Sequence, residues 1–233
     1  MNTKNNPKKS KEKFYDKKKL LLELIPLLLV LATFIIALCV YPLLPPKIPM
    51  HWDANGNVNN YGGRGTIFII PILFFVMIAL FFILPLMEVF GENMRKIYNY
   101  YYAFKIFFSI FFFVLFIATL LPNFGYNFNV SYVVLTMVSL LFIVIGVIMP
   151  KLKRNFIFGI RTGWTLSSDN VWNQTHKVGG ILFIAMGILT MLSLFTLSLE
   201  ATLYIFLAMI LTGSIYLIFY SYYLYAKEKK RTL

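Results

Sequence analysis

Six nearly unbroken apolar runs are spaced along the chain. They are Leu20 to Val40, Thr66 to Met87, Tyr98 to Leu121, Val130 to Met149, Gly180 to Leu197 and Leu203 to Tyr222. Each holds about 20 residues, enough for an α-helix to cross a hydrocarbon core about 30 Å thick. Charged positions collect between the runs and are rare inside them, as lipid requires. Only Ser198 to Thr202 separates the last two runs, and Glu200 is the one charge between Lys177 and Lys227. A single helix there would far exceed the bilayer, so a tight hairpin is expected, with Glu200 at the water interface. The predicted fold class is all-α: an integral membrane helical bundle of six transmembrane helices. The predicted organisation is a basic cytoplasmic tail (1–19), an N-terminal membrane domain (20–121) with an outer loop at 42–65, and a second membrane domain (130–225) with a cytoplasmic loop at 150–180.

Charge sets the orientation. Nineteen Lys and Arg residues fall in the tail, the second, fourth and final polar segments, against only Lys47 and Arg64 on the other side. Basic residues stay on the cytoplasmic side, so both termini are expected inside. Tyr98, Tyr100, Tyr101 and Tyr102, with Tyr220, Tyr222, Tyr223 and Tyr225, are expected as an aromatic belt at the inner interface. The net charge of +13 reads as contact with anionic lipid and not with nucleic acid. Hydrophobic residues make up 59% of the chain and charged ones 13%, which excludes a soluble domain or a disordered chain. The lone cysteine, Cys39, forbids an internal disulfide and reads as an inert buried thiol.

Two loops are richer than connectors need. The outer one, Pro42 to Gly65, alternates Ile48, Met50 and Trp52 with Pro49 and His51, and carries an Asn55-Gly56 turn signal. It predicts a small extracytoplasmic hairpin after the first helix. Asp53, Asn55 and Asn57 imitate the start of a calcium loop, but Val58 and Arg64 stand where Gly and Glu are required. The two histidines, His51 and His176, fall on opposite sides of the membrane and cannot share zinc. No metal or other cofactor is expected.

The cytoplasmic loop, Pro150 to Gly180, is the densest polar stretch. Gly159 and Gly163 bracket a turn presenting Arg161. Ser167 or Ser168 is the expected N-cap of a short helix from Asp169 to about Lys177, lying on the membrane before Gly179-Gly180 turns the chain inward. Ser167, Asp169 and His176 have the residue types of a hydrolase but not the spacing, since Asp169 and His176 lie about 10 Å apart along a helix. A coupled transporter would keep ionisable groups near mid-membrane. Glu23 and Lys105 are the only charges inside the spans, and both are expected to snorkel to the inner interface.

The block from Asn155 through Gly159, Arg161, Thr162, Trp164, Trp172, Thr175 and His176 to Gly180 closely resembles the signature of the SdpI-like immunity family. Ile48-Pro49-Met50-His51-Trp52-Asp53 with Gly56 is similar to the N-terminal domain of unknown function that often precedes it. The chain departs from the family pattern at Gly163 and at Asn170. The resemblance implies a multi-pass bacterial cell-membrane protein, not an enzyme, that protects the cell from a toxic peptide of the sporulation-delaying type. In some members it also implies signalling, by holding a cytoplasmic winged-helix repressor at the membrane. The motif residues it carries over are Asn155, Gly159, Arg161, Thr162, Trp164, Trp172, Thr175 and His176; these inside, with His51, Trp52, Asp53 and Arg64 outside, are the expected toxin- or partner-binding residues. The alternative reading is an exporter of an amphipathic peptide.

Overall fold

The computed structural model describes residues 14–87, 91–126 and 129–232. Among the described residues, six helical segments are long and apolar enough to cross a membrane: Lys17–Leu43, Arg64–Met87, Tyr98–Phe124, Val130–Lys151, Asp169–Thr196 and Leu199–Arg231. The chain is a multi-pass membrane protein, as the apolar runs predicted. Helix α1 (Lys17–Leu22) leads into α2 (Leu24–Val40). A two-stranded antiparallel hairpin follows, β1 (Lys47–Trp52) and β2 (Val58–Gly63). The remaining helices are α3 (Ile69–Ile83), α4 (Gly91–Lys96), α5 (Tyr98–Leu120), α6 (Val130–Ile148), α7 (Gly163–Ser167), α8 (Asp169–Thr196) and α9 (Leu199–Thr232).

Helices α2, α3 and α5 pack together, α6, α8 and α9 pack together, and α5 against α6 joins the two groups. Lipid tails are as apolar as leucine, so close backbone approach has to hold such helices together. Glycines provide it between α6 and α8. A Cβ on Gly146 would lie 2.6 Å from the Gly180 carbonyl, and one on Gly180 would lie 2.7 Å from the Gly146 carbonyl. Gly187 sits equally tight on Ser139. Gly179-Gly180 therefore does not turn the chain. Helix α8 runs straight through it, and the expected surface helix is the first two turns of α8. At 28 and 34 residues, α8 and α9 measure roughly 42 and 51 Å. Joined at Leu197–Ser198, both are longer than a hydrocarbon core about 30 Å thick and project past it.

Other expectations are corrected. Tyr98 and Tyr101 are buried, and the hydroxyls of Tyr98, Tyr101 and Tyr102 bond to the Lys19, Phe81 and Leu22 carbonyls. This cluster is packing inside the bundle, not a belt in lipid. Tyr222 and Tyr223 are exposed. Cys39 is exposed on α2 and not buried. The end of the tail docks: Phe14 and Tyr15 are buried, with Tyr15 stacked on Phe82. Most of the tail lies outside the described residues. Glu23 and Lys105 do not snorkel. Lys105 Nζ bonds Glu23 Oε2 at 2.7 Å, with the side chains 0% and 9% exposed. Pairing with a carboxylate in reach lowers the cost of charge in the membrane more locally than a long detour to water.

Candidate functional site

The cytoplasmic motif folds into a knot over the start of α8. Asn155 is fully buried. Its Oδ1 accepts the backbone N–H groups of Ile157 and Phe158, and its Nδ2 donates to the Lys153 and Phe158 carbonyls. One side chain thus satisfies the polar groups of a tight turn. The chain then passes through Gly159 at φ 117°, where any Cβ would collide with His176 Nε2. That nitrogen accepts the Ile160 N–H at 2.9 Å, and Nδ1 faces the Trp172 carbonyl at 2.8 Å. Trp172 stacks on the imidazole, ring centroids 4.0 Å apart, and its indole N–H donates to the Leu152 carbonyl. Trp172, Thr175 and His176 are fully buried, so Trp172 is core and not an interfacial anchor.

Thr162 caps α7 reciprocally with Thr165. The Thr165 hydroxyl also donates to the Ile160 carbonyl. Ser168 caps α8, its Oγ accepting the Val171 N–H. Arg154 pairs with Asp169 and donates to the Leu166 carbonyl. The inner end of α9 latches the loop from the far side. Ser221 shares a hydrogen bond with Thr162, Tyr222 packs on Trp164, and Glu228 accepts from Ser168 and Asn170. Arg161 is exposed, and its guanidinium donates to the Phe156 carbonyl. Both ring nitrogens of His176 are engaged, and Asp169 and Ser168 are directed elsewhere, so these three form no relay.

In the hairpin β1 and β2 pair as Lys47 with Gly63, Ile48 with Gly62 and Trp52 with Val58, with a bulge between Pro49 and His51. Only Ile48 is buried; Met50 is exposed, because the bulge breaks the alternation. Asp53 Oδ1 accepts the backbone N–H groups of Asn55 and Asn57, and Gly56 takes φ 84°. Those bonds, from Asn57 first, hold the Asp53 carboxyl below the usual carboxylate range, so it stays ionised. Asn129 Oδ1 caps α6 through Ser131, and its Nδ2 donates to the Asn55 carbonyl at 2.8 Å. Ser131 Oγ donates to the Asp53 carbonyl. The hairpin is thus tied to the start of α6. Beneath it a cavity of about 330 Å³ is lined by residues that include His51, Trp52, Asp53, Val130, Val134 and Leu203. Arg64 lies apart, with its guanidinium 5.0 Å over the Tyr41 ring.

The expected site residues therefore separate into two assemblies. His51, Trp52 and Asp53 share the outer groove, and Asn155, Gly159, Thr162, Trp164, Trp172 and His176 share the inner knot. Sequence reasoning missed Thr165, Ser221, Glu228 and Asn129. The Thr162-x-x-Thr165 spacing was a capping signal. Nothing local marked the other three, which act across 59, 60 and 74 residues.

Residues 151–221 match the SdpI/YfhL protein family, and residues 28–75 match a domain of unknown function, DUF1648. The chain is 26% identical over 205 residues to the immunity protein SdpI of Bacillus subtilis (strain 168), covering 88% of this chain and 96% of that one. No solved structure matches. The chain thus carries a DUF1648 region followed by an SdpI/YfhL family region, and the resemblance seen in its two loops holds.

Proposed function

We propose that this chain is a membrane immunity protein that protects its cell from a toxic peptide acting on the membrane. The observation that carries the reading is the outer groove. The hairpin of the first half is hydrogen-bonded onto the second half, and the distribution of basic residues favours the outer side for the cavity it leaves. Likeness to the Bacillus subtilis immunity protein along nearly the whole chain supports the same reading. The inner knot, latched to α9, is the surface proposed to report occupancy by holding a cytoplasmic repressor. Helix α9 runs from Leu203 at the groove to Ser221 and Glu228 under the knot, so one rigid element touches both.

The test is growth of a sensitive host expressing the chain and challenged with the toxic peptide. Survival that persists when the proton-motive force is collapsed supports binding; survival that vanishes with it favours export. Unchanged killing at normal membrane abundance rejects the reading.

A further inference from the structure

We infer that the outer groove binds a cationic amphipathic peptide segment, an apolar side chain entering the groove while an adjacent ammonium or guanidinium meets the carboxylates of Asp53 and Glu200. The inference rests on the immunity reading and gives its site a chemistry.

The groove is lined mostly by apolar side chains, with the carboxylate residue Asp53 among them. Its floor is Val130 and Leu135, both buried, with Val134 and Leu203. About 330 Å³ is the lower end of the range for small-ligand sites and suits one or two large side chains. Trp52 forms part of the wall from the hairpin side. Asp53 lines the groove with an ionised carboxylate. Glu200 stands one turn before Leu203, on the same face of α9.

The lysine and arginine of this face lie elsewhere. Lys47 is at the base of the hairpin opposite Gly63, and Arg64 is held over Tyr41 beside α2. The face is thereby polarised, with acids at the groove and bases on the far side. The first turns of α6 and α9 lie near this end, and their N-termini carry partial positive charge. Asn129 caps the first, and Glu200 lies in the first turn of the second, so neither end overrides the carboxylates.

The experiment uses the full chain in nanodiscs of phosphatidylcholine, so that lipid charge does not attract the probe. The probes are two short fluorescent peptides, one alternating Leu and Lys and one alternating Leu and Glu. The Leu-Lys peptide is expected to bind and the Leu-Glu peptide to fail. Glu200→Gln, which lies outside the hairpin turn, is expected to weaken binding about threefold to fivefold. Leu203→Trp, which fills the groove, is expected to abolish it. Equal binding of both peptides overturns the inference, as does Leu-Lys binding that is unchanged in both variants. The two readings fail separately. Host killing despite groove binding with these sensitivities removes immunity and leaves the groove chemistry. Full protection by a wild-type chain that binds neither peptide removes the groove chemistry and leaves immunity.

Discussion

His176 Nε2 accepts the backbone N–H of Ile160 at 2.9 Å. Because the acceptor must be unprotonated, the other nitrogen carries the hydrogen and donates to the Trp172 carbonyl, and the ring is neutral. One imidazole therefore ties the Gly159 turn to α8. His176→Ala leaves the Ile160 N–H without its acceptor, at about 1–3 kcal/mol. Trypsin applied to inside-out vesicles is expected to cut after Arg161 faster in this variant, with His176→Gln intermediate. Identical cleavage in all three proteins would show that the bond does not hold the loop.

The Glu23–Lys105 pair makes a second prediction. Lys105 Nζ also lies 5.3 Å from the Tyr101 ring centre and 5.9 Å from that of Tyr15. Lys105→Met strands a buried carboxylate, an effect of about 3–5 kcal/mol. The double variant Glu23→Gln/Lys105→Met removes both charges and is expected to recover most of the loss. Thermal unfolding in detergent measures it. A double variant no better than Lys105→Met would mean that the pair does more than balance charge.

The glycine contact between α6 and α8 gives a third. Gly180→Ala pushes a Cβ to 2.7 Å from the Gly146 carbonyl, costing about 1–3 kcal/mol in overpacking. At Gly213 a new Cβ would meet only the flexible end of Met186, so Gly213→Ala is expected to be tolerated. Comparing the two melting temperatures isolates backbone approach from side-chain size. Equal melting would refute the assigned role of Gly180.

Hydrophobic run length carried the bundle, because lipid enforces one rule on every spanning residue. Asn55-Gly56 likewise marked the hairpin turn, since local backbone geometry demands it. What stayed hidden was which polar groups meet. Glu23 and Lys105 stand 82 residues apart, and each alone looked able to snorkel. Gly179-Gly180 read as a breaker because its second meaning, a close helix contact, depends on Gly146 in another span. The burial of Trp172 was not legible, because its indole partner Leu152 lies 20 residues away.

Orientation is a fourth prediction. A reporter that needs the oxidising exterior is expected to stay silent when fused after Leu233 and to work when inserted after Asn57. The hairpin tip tolerates the insertion best if the Asn129 bond to the Asn55 carbonyl is preserved. The reverse activity pattern would place the groove inside the cell and remove it from any external peptide.

Arg161 and Trp172 both belong to the motif that resembles the family signature, and the structure separates them. Trp172 is fully buried against His176 and bonded to the Leu152 carbonyl. Trp172→Ala is therefore expected to lose about 3–5 kcal/mol and to lower the amount of protein in the membrane, so lost protection there says nothing about a partner. Arg161 is exposed on a loop fixed beneath it by Asn155, His176 and Thr165. Its fork is spent only in part, on the Phe156 carbonyl. A planar fork suits a carboxylate or phosphate in a way an ammonium does not. Arg161→Lys is thus expected to leave abundance unchanged while reducing toxin survival, and Arg161→Ala to reduce it further. If lysine substitutes freely at equal abundance, Arg161 contacts only lipid headgroups, and the inner knot has structural roles alone.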